Sequence, residues 1–347
     1  MLKIKEKIFR EGQSFIIAEV AQAHDGSLGI AHSYIDALAE TGVDAVKFQA
    51  HIADAESSIY EPFRIKFSYE DKTRHDYWKR MEFSLQQWKG LKSHCKRIGL
   101  EFISSPFSNL AVDLLEKIGV NSYKIGSGEV NNFLILNKIA KTGKPIFIST
   151  GMSSYNELDQ AIEFLKPFKL QLALLQCTTA YPTKPEEWGL NVIEELKKRY
   201  HLTVGFSDHS GDINACLAAA ALGAEVLEFH VVFDKFMFGP DSKASLTIDQ
   251  ARRLVKGVRD ISLSIKTKVN KNDNSKFKEL KNTFEKSLAV NRNLKKGSII
   301  TEDVLEAKKP KGYGINAKEY EHIIGKRINR DMYKWEFIKE KDIYEET

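Results

Sequence analysis

The chain has 347 residues, and its 52 Lys and Arg against 47 Asp and Glu leave a formal charge of +5. A balance this close to neutral excludes capture of nucleic acid by bulk charge, and the ordinary composition excludes collagenous, disordered and coiled-coil chains. The length suits one large domain followed by a small one.

Residues 1–12, MLKIKEKIFREG, are charged and lack the apolar stretch of a signal peptide, and no run of about 18 apolar residues marks a membrane span. From Phe15 onward a short apolar run, a polar turn and a helical stretch recur. The strands read as Phe15–Val20, Ala45–Gln49, Glu101–Ser105, Ser122–Ile125, Pro145–Ser149, Leu172–Gln176, Thr203–Ser207 and Val226–Val231. Helical patterns lie between them at Gly29–Thr41, Leu85–Ile98, Asn109–Ile118, Phe133–Thr142, Tyr155–Pro167, Asn191–Arg199 and Asp212–Leu222. Several end at a glycine (Gly42, Gly99, Gly119, Gly143), the usual helix stop. Ser245–Ile265 supplies one more amphipathic helix. Eight strands alternating with helices predict a (β/α)8 TIM barrel over residues 1–266. A doubly wound open sheet is the alternative, but no GxGxxG follows the first strand. Cys95, Cys177 and Cys216 have no paired spacing and read as reduced thiols, which fits a cytoplasmic protein.

In such a barrel the chemistry sits at the carboxyl ends of the strands. Those ends carry Glu19; Lys47 and Gln49; Ser105; Lys124, Ser127 and Glu129; Ser149; Thr179 and Tyr181; Ser207 and His209; and His230. His209 and His230 end neighbouring strands, with Asp208, Glu228 and Asp241 close in sequence, and this set suits a metal ion. A single histidine at a strand end is more often a hydrogen-bonded structural residue; two converging through one strand–helix–strand unit favour the metal. Lys47, Lys124, Ser127, Ser149 and Ser207 are donors, and with the Gly126–Gly128 loop they suit a phosphate or carboxylate. The competing reading is that the lysines merely pair with Glu19 or Glu129. Glu19, Glu129 and Asp241 suit proton transfer beside a metal.

Residues 267–286 are polar and read as a linker, and 287–347 read as a small β-rich domain with a thin core.

The motifs AEV-x3-HDGSLG, VKFQ, SSPFS, YKIGSGE, STGMS, CTTAYPT, GFSDHS, EFHVVFDK and GPD occur in this order. Together they resemble the sialic acid (N-acetylneuraminate) synthase family. SLAV, LKKGSIITEDVL, KKPKGYGI and IIGKRINRDM resemble its carboxyl-terminal SAF, or antifreeze-like, domain. The resemblance covers nearly the whole chain. It implies condensation of phosphoenolpyruvate with N-acetylmannosamine or a related amino sugar, giving a nine-carbon 2-keto acid and phosphate. It implies a divalent ion, Mn2+ before Mg2+ or Co2+, on His209 and His230. Lys47, Lys124, Ser127, Ser149 and Ser207 would then hold phosphoenolpyruvate, with Ser105 in the same substrate-binding set. Glu19, Gln49, Thr179, Tyr181 and Asp241 would surround the acceptor and metal, and Glu129 would handle a proton near C2 of the enolpyruvate. It also implies a domain-swapped homodimer, in which the small domain of one subunit closes over the other's barrel.

Three positions depart from the family pattern: Ala23, Thr179, and Lys309 in place of an arginine that reaches the partner's sugar. Lysine and arginine are not equivalent donors. All three lie on the acceptor side, so a legionaminic- or pseudaminic-type product, or another surface-polysaccharide sugar acid, is a credible alternative. Two other readings stand beside these: a different metal-dependent barrel enzyme such as an isomerase, and a non-catalytic carbohydrate-binding relative.

Overall fold

The computed structural model describes residues 3–4, 7–8, 13–65 and 67–345, so most of the charged stretch at residues 1–12 lies outside the described residues. The chain forms two compact units, Met1–Thr267 and Lys268–Thr347.

The first unit is the expected barrel. Its strands are β1 (Phe15–Ala21), β2 (Ala45–Ala50), β3 (Glu101–Pro106), β4 (Tyr123–Ile125), β5 (Ile146–Ser149), β6 (Leu172–Cys177), β7 (Thr203–Asp208) and β8 (Val226–Val232). Neighbours pair in parallel, and β8 pairs with both β7 and β1, which closes the sheet. Both faces of these strands are covered, so they read as near-continuous apolar runs. The helices on the outer face are α1 (Leu28–Ala39), α3 (Leu85–Arg97), α4 (Asn109–Ile118), α5 (Phe133–Ala140), α6 (Tyr155–Leu165), α7 (Asn191–Tyr200), α8 (Asn214–Ala221) and α9 (Ile248–Lys266), while α2 (Arg74–Met81) lies on an excursion between β2 and α3.

Strand alternation decides what fills the interior. One face of β1 carries Phe15, Ile17 and then Glu19; β2 carries Ala45, then Lys47 and Gln49; β8 carries Val226, then Glu228 and His230. Phe15, Ile17, Ala45, Ile103, Phe147, Ala173, Leu175 and Val226 form one fully packed apolar layer. The polar residues begin one pleat above it. Gly205 on β7 belongs to this crowded interior, because a β-carbon there would lie 2.4 Å from the Val226 carbonyl oxygen.

Residues 51–84 hold structure that the sequence reading did not anticipate. They contain a helical turn, Ala53–Glu56, and α2. The sequence of α2, RHDYWKRM, is too polar and short to announce a helix. A capping box between Thr73 and Asp76 starts it, and Tyr77, Trp78 and Met81 pack with Ala53, Phe63 and Phe67 in a small core of their own. Arg80 ties the excursion down, with donors on both oxygens of Asp71 and on Asp25 Oδ1 at 2.6 Å.

The second unit pairs Ser287–Val290 with Leu305–Lys308 and Arg327–Ile328 with Ile343–Tyr344, both antiparallel. Leu288, Val290, Ile300, Ile328, Met332 and Ile338 lead its core. The polar stretch read as a linker carries a short helix, Lys278–Phe284.

Candidate active site

Register alone brings the first site residues together. Glu19 on β1 pairs across with Lys47 on β2 and with His230 on β8; Gln49 pairs with Ser105, and Glu228 with Ser207. They open onto one cavity of about 530 Å³. Its lining includes every barrel residue named from the strand ends: Glu19, Lys47, Gln49, Ser105, Lys124, Ser127, Glu129, Ser149, Thr179, Tyr181, Ser207, His209, His230 and Asp241. Lys309 lies in the second unit, its ammonium 4.8 Å from the centre of the Phe284 ring. Asp208, grouped with the histidines from sequence, is turned away by strand alternation and accepts hydrogen bonds from the Ser210 N–H and hydroxyl.

The floor of the cavity is a buried charge network. Lys47 Nζ lies 2.8 Å from Glu19 Oε1 and 3.1 Å from Glu228 Oε1. Lys124 Nζ donates to the Ser149 hydroxyl at 2.6 Å and lies 3.5 Å from Glu228 Oε1. The lysines therefore do pair with carboxylates, and Glu228, which the sequence reading set beside the histidines, is the bridge between them. The two lysines differ electrostatically. Burial pulls the Lys47 pKa down, but Glu19 and Glu228 outweigh it and the net shift is up. Lys124 is shifted down, by burial first and by repulsion from Lys47, with Glu228 compensating only in part. Burial would raise the Glu19 pKa, yet His230, Lys47 and Lys124 hold it well below the carboxylate range. Glu228 Oε2 is buried and has no hydrogen-bond partner among the described residues. Ser207 donates to Glu228 Oε1 at 3.0 Å, and the Gly151 N–H donates to the Ser127 hydroxyl at 3.1 Å. Gly151 leaves room for this contact, since a β-carbon there would meet Cys177 Sγ at 2.5 Å and Thr179 Oγ1 at 2.7 Å.

Above the floor stand the two imidazoles, with ring centroids 5.3 Å apart. His209 Nδ1 faces the Thr178 carbonyl oxygen at 3.0 Å, which assigns the proton to Nδ1 and leaves the Nε2 lone pair free. Burial, reinforced by His230, lowers the His209 pKa to about 3, so the ring is neutral, as a metal ligand must be. His230 Nε2 lies 3.1 Å from Glu19 Oε2. Among the described residues no three His, Cys, Asp or Glu side chains close on one point. The donor set thus fits an open site, with two imidazoles from the protein and the other positions left for substrate and water, rather than a closed structural one.

Part of the upper wall, contributed by Glu56, Arg64, Arg74 and Trp78, was missed from sequence. Arg64 lies over the Tyr181 ring at 4.1 Å and donates to Asp241 Oδ1 at 2.6 Å. Tyr181 packs 4.3 Å from His209. Gln22, His51, Glu56, Arg74 and Trp78 also line the cavity. Arg64, Arg74 and Trp78 lie on the 51–84 excursion, where no periodic signal points inward. Glu129 accepts from Asn132 Nδ2 at 2.7 Å, and burial raises its pKa.

Residues 34–270 match the model of the NeuB family, and residues 285–343 match that of the SAF domain. The chain is 36% identical to the N,N'-diacetyllegionaminic acid synthase of Campylobacter jejuni, over 94% of this chain and 99% of the relative. It is 34% identical to the human N-acetylneuraminate-9-phosphate synthase, over 90% of this chain and 88% of the human one. A crystal structure of the N-acetylneuraminic acid synthetase of Leptospira borgpetersenii superposes with a TM-score of 0.68 at 29% identity, covering 77% of this chain and 90% of that one.

Proposed function

Because this chain belongs to the NeuB family, with a SAF domain following its barrel in the sequence, we propose that it condenses phosphoenolpyruvate with an N-acetylmannosamine-like amino sugar, giving a nine-carbon 2-keto acid and phosphate. The observation that carries this reading is the juxtaposition of two buried lysines, Lys47 and Lys124, with two imidazoles across one cavity. The lysine side suits an anion; the histidine side suits a carbonyl oxygen.

In this reading Lys47, Lys124 and the hydroxyls of Ser127, Ser149 and Ser207 hold the phosphate and carboxylate of phosphoenolpyruvate, with Ser105 beside them. His209 and His230 would hold a divalent ion, manganese for preference, whose Lewis acidity polarises the aldehyde of the open-chain sugar when bound. Glu19, Gln49, Thr179, Tyr181 and Asp241 orient that sugar so that its C1 faces C3 of the enolpyruvate. The C3–C1 bond forms, and the aldehyde oxygen takes a proton and becomes a hydroxyl. Glu129 takes a proton from the water that adds at C2, and phosphate leaves with cleavage of its bond to C2, which becomes the keto carbon. The chain would work as a homodimer.

A 2,4-diacetamido hexose is the second candidate acceptor, favoured by the likeness to the legionaminic acid synthase. The test is phosphate release from phosphoenolpyruvate with Mn2+ and a panel of 2-acetamido and 2,4-diacetamido hexoses, with products weighed by mass spectrometry. A product equal to one sugar plus a pyruvyl unit supports the proposal; no release with any sugar, from folded protein with metal bound, overturns it.

A further inference from the structure

A chain of hydrogen bonds runs along the upper wall of the cavity, and its direction can be assigned from its two ends. At one end His51 Nδ1 lies 2.5 Å from Glu56 Oε1. At the other, Gln49 Nε2 donates to Glu19 Oε1 at 2.6 Å. Ionised carboxylates only accept, so His51 donates through Nδ1 and Gln49 through its amide nitrogen. The remaining atoms, His51 Nε2 and Gln49 Oε1, lie 3.2 Å apart and both face the amide nitrogen of Gln22, so both accept from it. Gln22 Nε2 sits between them, 2.6 Å from the first and 2.5 Å from the second. Its two hydrogens serve both.

This assignment leaves two groups uncommitted. The Gln22 carbonyl oxygen has no hydrogen-bond partner among the described residues, although Gln22 is only 6% exposed and lines the cavity. One hydrogen of Gln49 Nε2 is likewise unused. An acceptor and a donor on adjacent amides are the complement of a secondary amide, which offers one N–H and one C=O.

The backbone and the rings hold the arrangement. The register of β1 slips between Glu19 and Ala21, and Ala21 takes φ 48°, so the chain bulges where it delivers Gln22. The His51 ring is sandwiched between Trp78 at 4.0 Å and Phe107 at 4.6 Å, with interplanar angles of 14° and 5°. Trp78 is fixed in turn by its indole N–H, which donates to Glu61 Oε2 at 3.0 Å. The stacking holds the imidazole in its plane, and the Nδ1 contact with Glu56 decides which edge of the ring faces Gln22.

We propose that the Gln22 carbonyl receives the acetamido N–H of the acceptor sugar, and that His51, backed by Glu56, is the positioning residue that turns this carbonyl toward it. The inference rests on the synthase reading above and adds to it the group by which the acceptor is recognised. His51→Phe keeps the stacked ring but removes the acceptor for Gln22, so the amide is free to flip. Gln22→Met keeps the side-chain length and removes the carbonyl itself.

The test is steady-state kinetics of the full chain with phosphoenolpyruvate and Mn2+, using the acetamido hexose that the wild type accepts and its 2-deoxy counterpart lacking the acetamido group. Both variants should raise the KM for the acetamido sugar by about 10- to 100-fold, leaving kcat, the KM for phosphoenolpyruvate and the KM for the 2-deoxy sugar within about twofold. A role confined to packing would lower kcat and weaken both sugars together. Variants that keep the wild-type preference for the acetamido sugar, or lose both sugars equally, overturn the inference while the synthase reading stands. A wild type that releases no phosphate with any sugar overturns both. If His51→Phe fails to fold, as judged by circular dichroism, Gln22→Met decides alone.

Discussion

His230 Nε2 lies 3.1 Å from Glu19 Oε2, an oxygen of the carboxylate that also holds Lys47. The contact joins the two halves of the cavity, because Glu19 is shared between the imidazole side and the lysine side. A change to one half should therefore be felt by the other through this carboxylate, whereas a change to His209, whose own anchor is the Thr178 carbonyl, should stay local.

His209→Ala should abolish turnover and weaken Mn2+ binding by at least about 10- to 100-fold, since one of only two imidazole donors is lost. Calorimetric titration of the metal reads the second quantity without any substrate. Wild-type Mn2+ affinity in the variant would rule out the two-imidazole site.

The two floor lysines should respond differently to removal of charge. Lys124→Met removes a cation held chiefly by a serine hydroxyl and should raise the KM for phosphoenolpyruvate by about 10- to 100-fold with modest loss of stability. Lys47→Met strands Glu19 and Glu228 together and should cost about 3–5 kcal/mol in urea unfolding as well. Equal unfolding midpoints for the two variants would contradict this division.

Arg64→Ala removes the guanidinium from above Tyr181 and leaves Asp241 without that partner. The expected result is a fall of about 10-fold in kcat/KM for the sugar with the KM for phosphoenolpyruvate unchanged. A rise in the phosphoenolpyruvate KM alone would place Arg64 on the wrong side of the cavity.

Stability should fall on mild acidification. His24 is buried between the Gly26 N–H, which donates to its Nδ1 at 3.1 Å, and the Phe83 ring at 4.7 Å. Burial, with help from His51 and Arg80, lowers its pKa from 6.5 to about 3. Above pH 6.5 neither the folded nor the unfolded state protonates it. Between 6.5 and about 3 only the unfolded state takes up the proton, so stability drops as pH falls, by about 1.4 kcal/mol per pH unit for this one group. His209 adds a contribution of the same sign in metal-free protein. Urea titrations at pH 7 and pH 5 should show a smaller difference for His24→Gln than for the wild type.

The barrel and most of its mouth were legible in the sequence because both are local properties. An apolar run bounded by a turn is a strand whatever surrounds it, and a (β/α)8 order places every strand end at one rim. That is why Lys47, Lys124, Ser149, His209 and His230 could be named without coordinates. Three things depended on tertiary structure. Strand register decided that Glu228 would bridge the lysines. The 51–84 excursion brought Arg64, Arg74 and Trp78 to the wall, and its helix owes its place to a small core assembled from residues scattered along the segment rather than to any period. The pairing of Gln22 with His51 and Gln49 depended on a bulge after Glu19 and on rings stacked from two other segments, and no spacing along the chain encodes such contacts. Periodicity reports which face of an element is buried; which polar atoms then meet is set by how the elements are registered against one another.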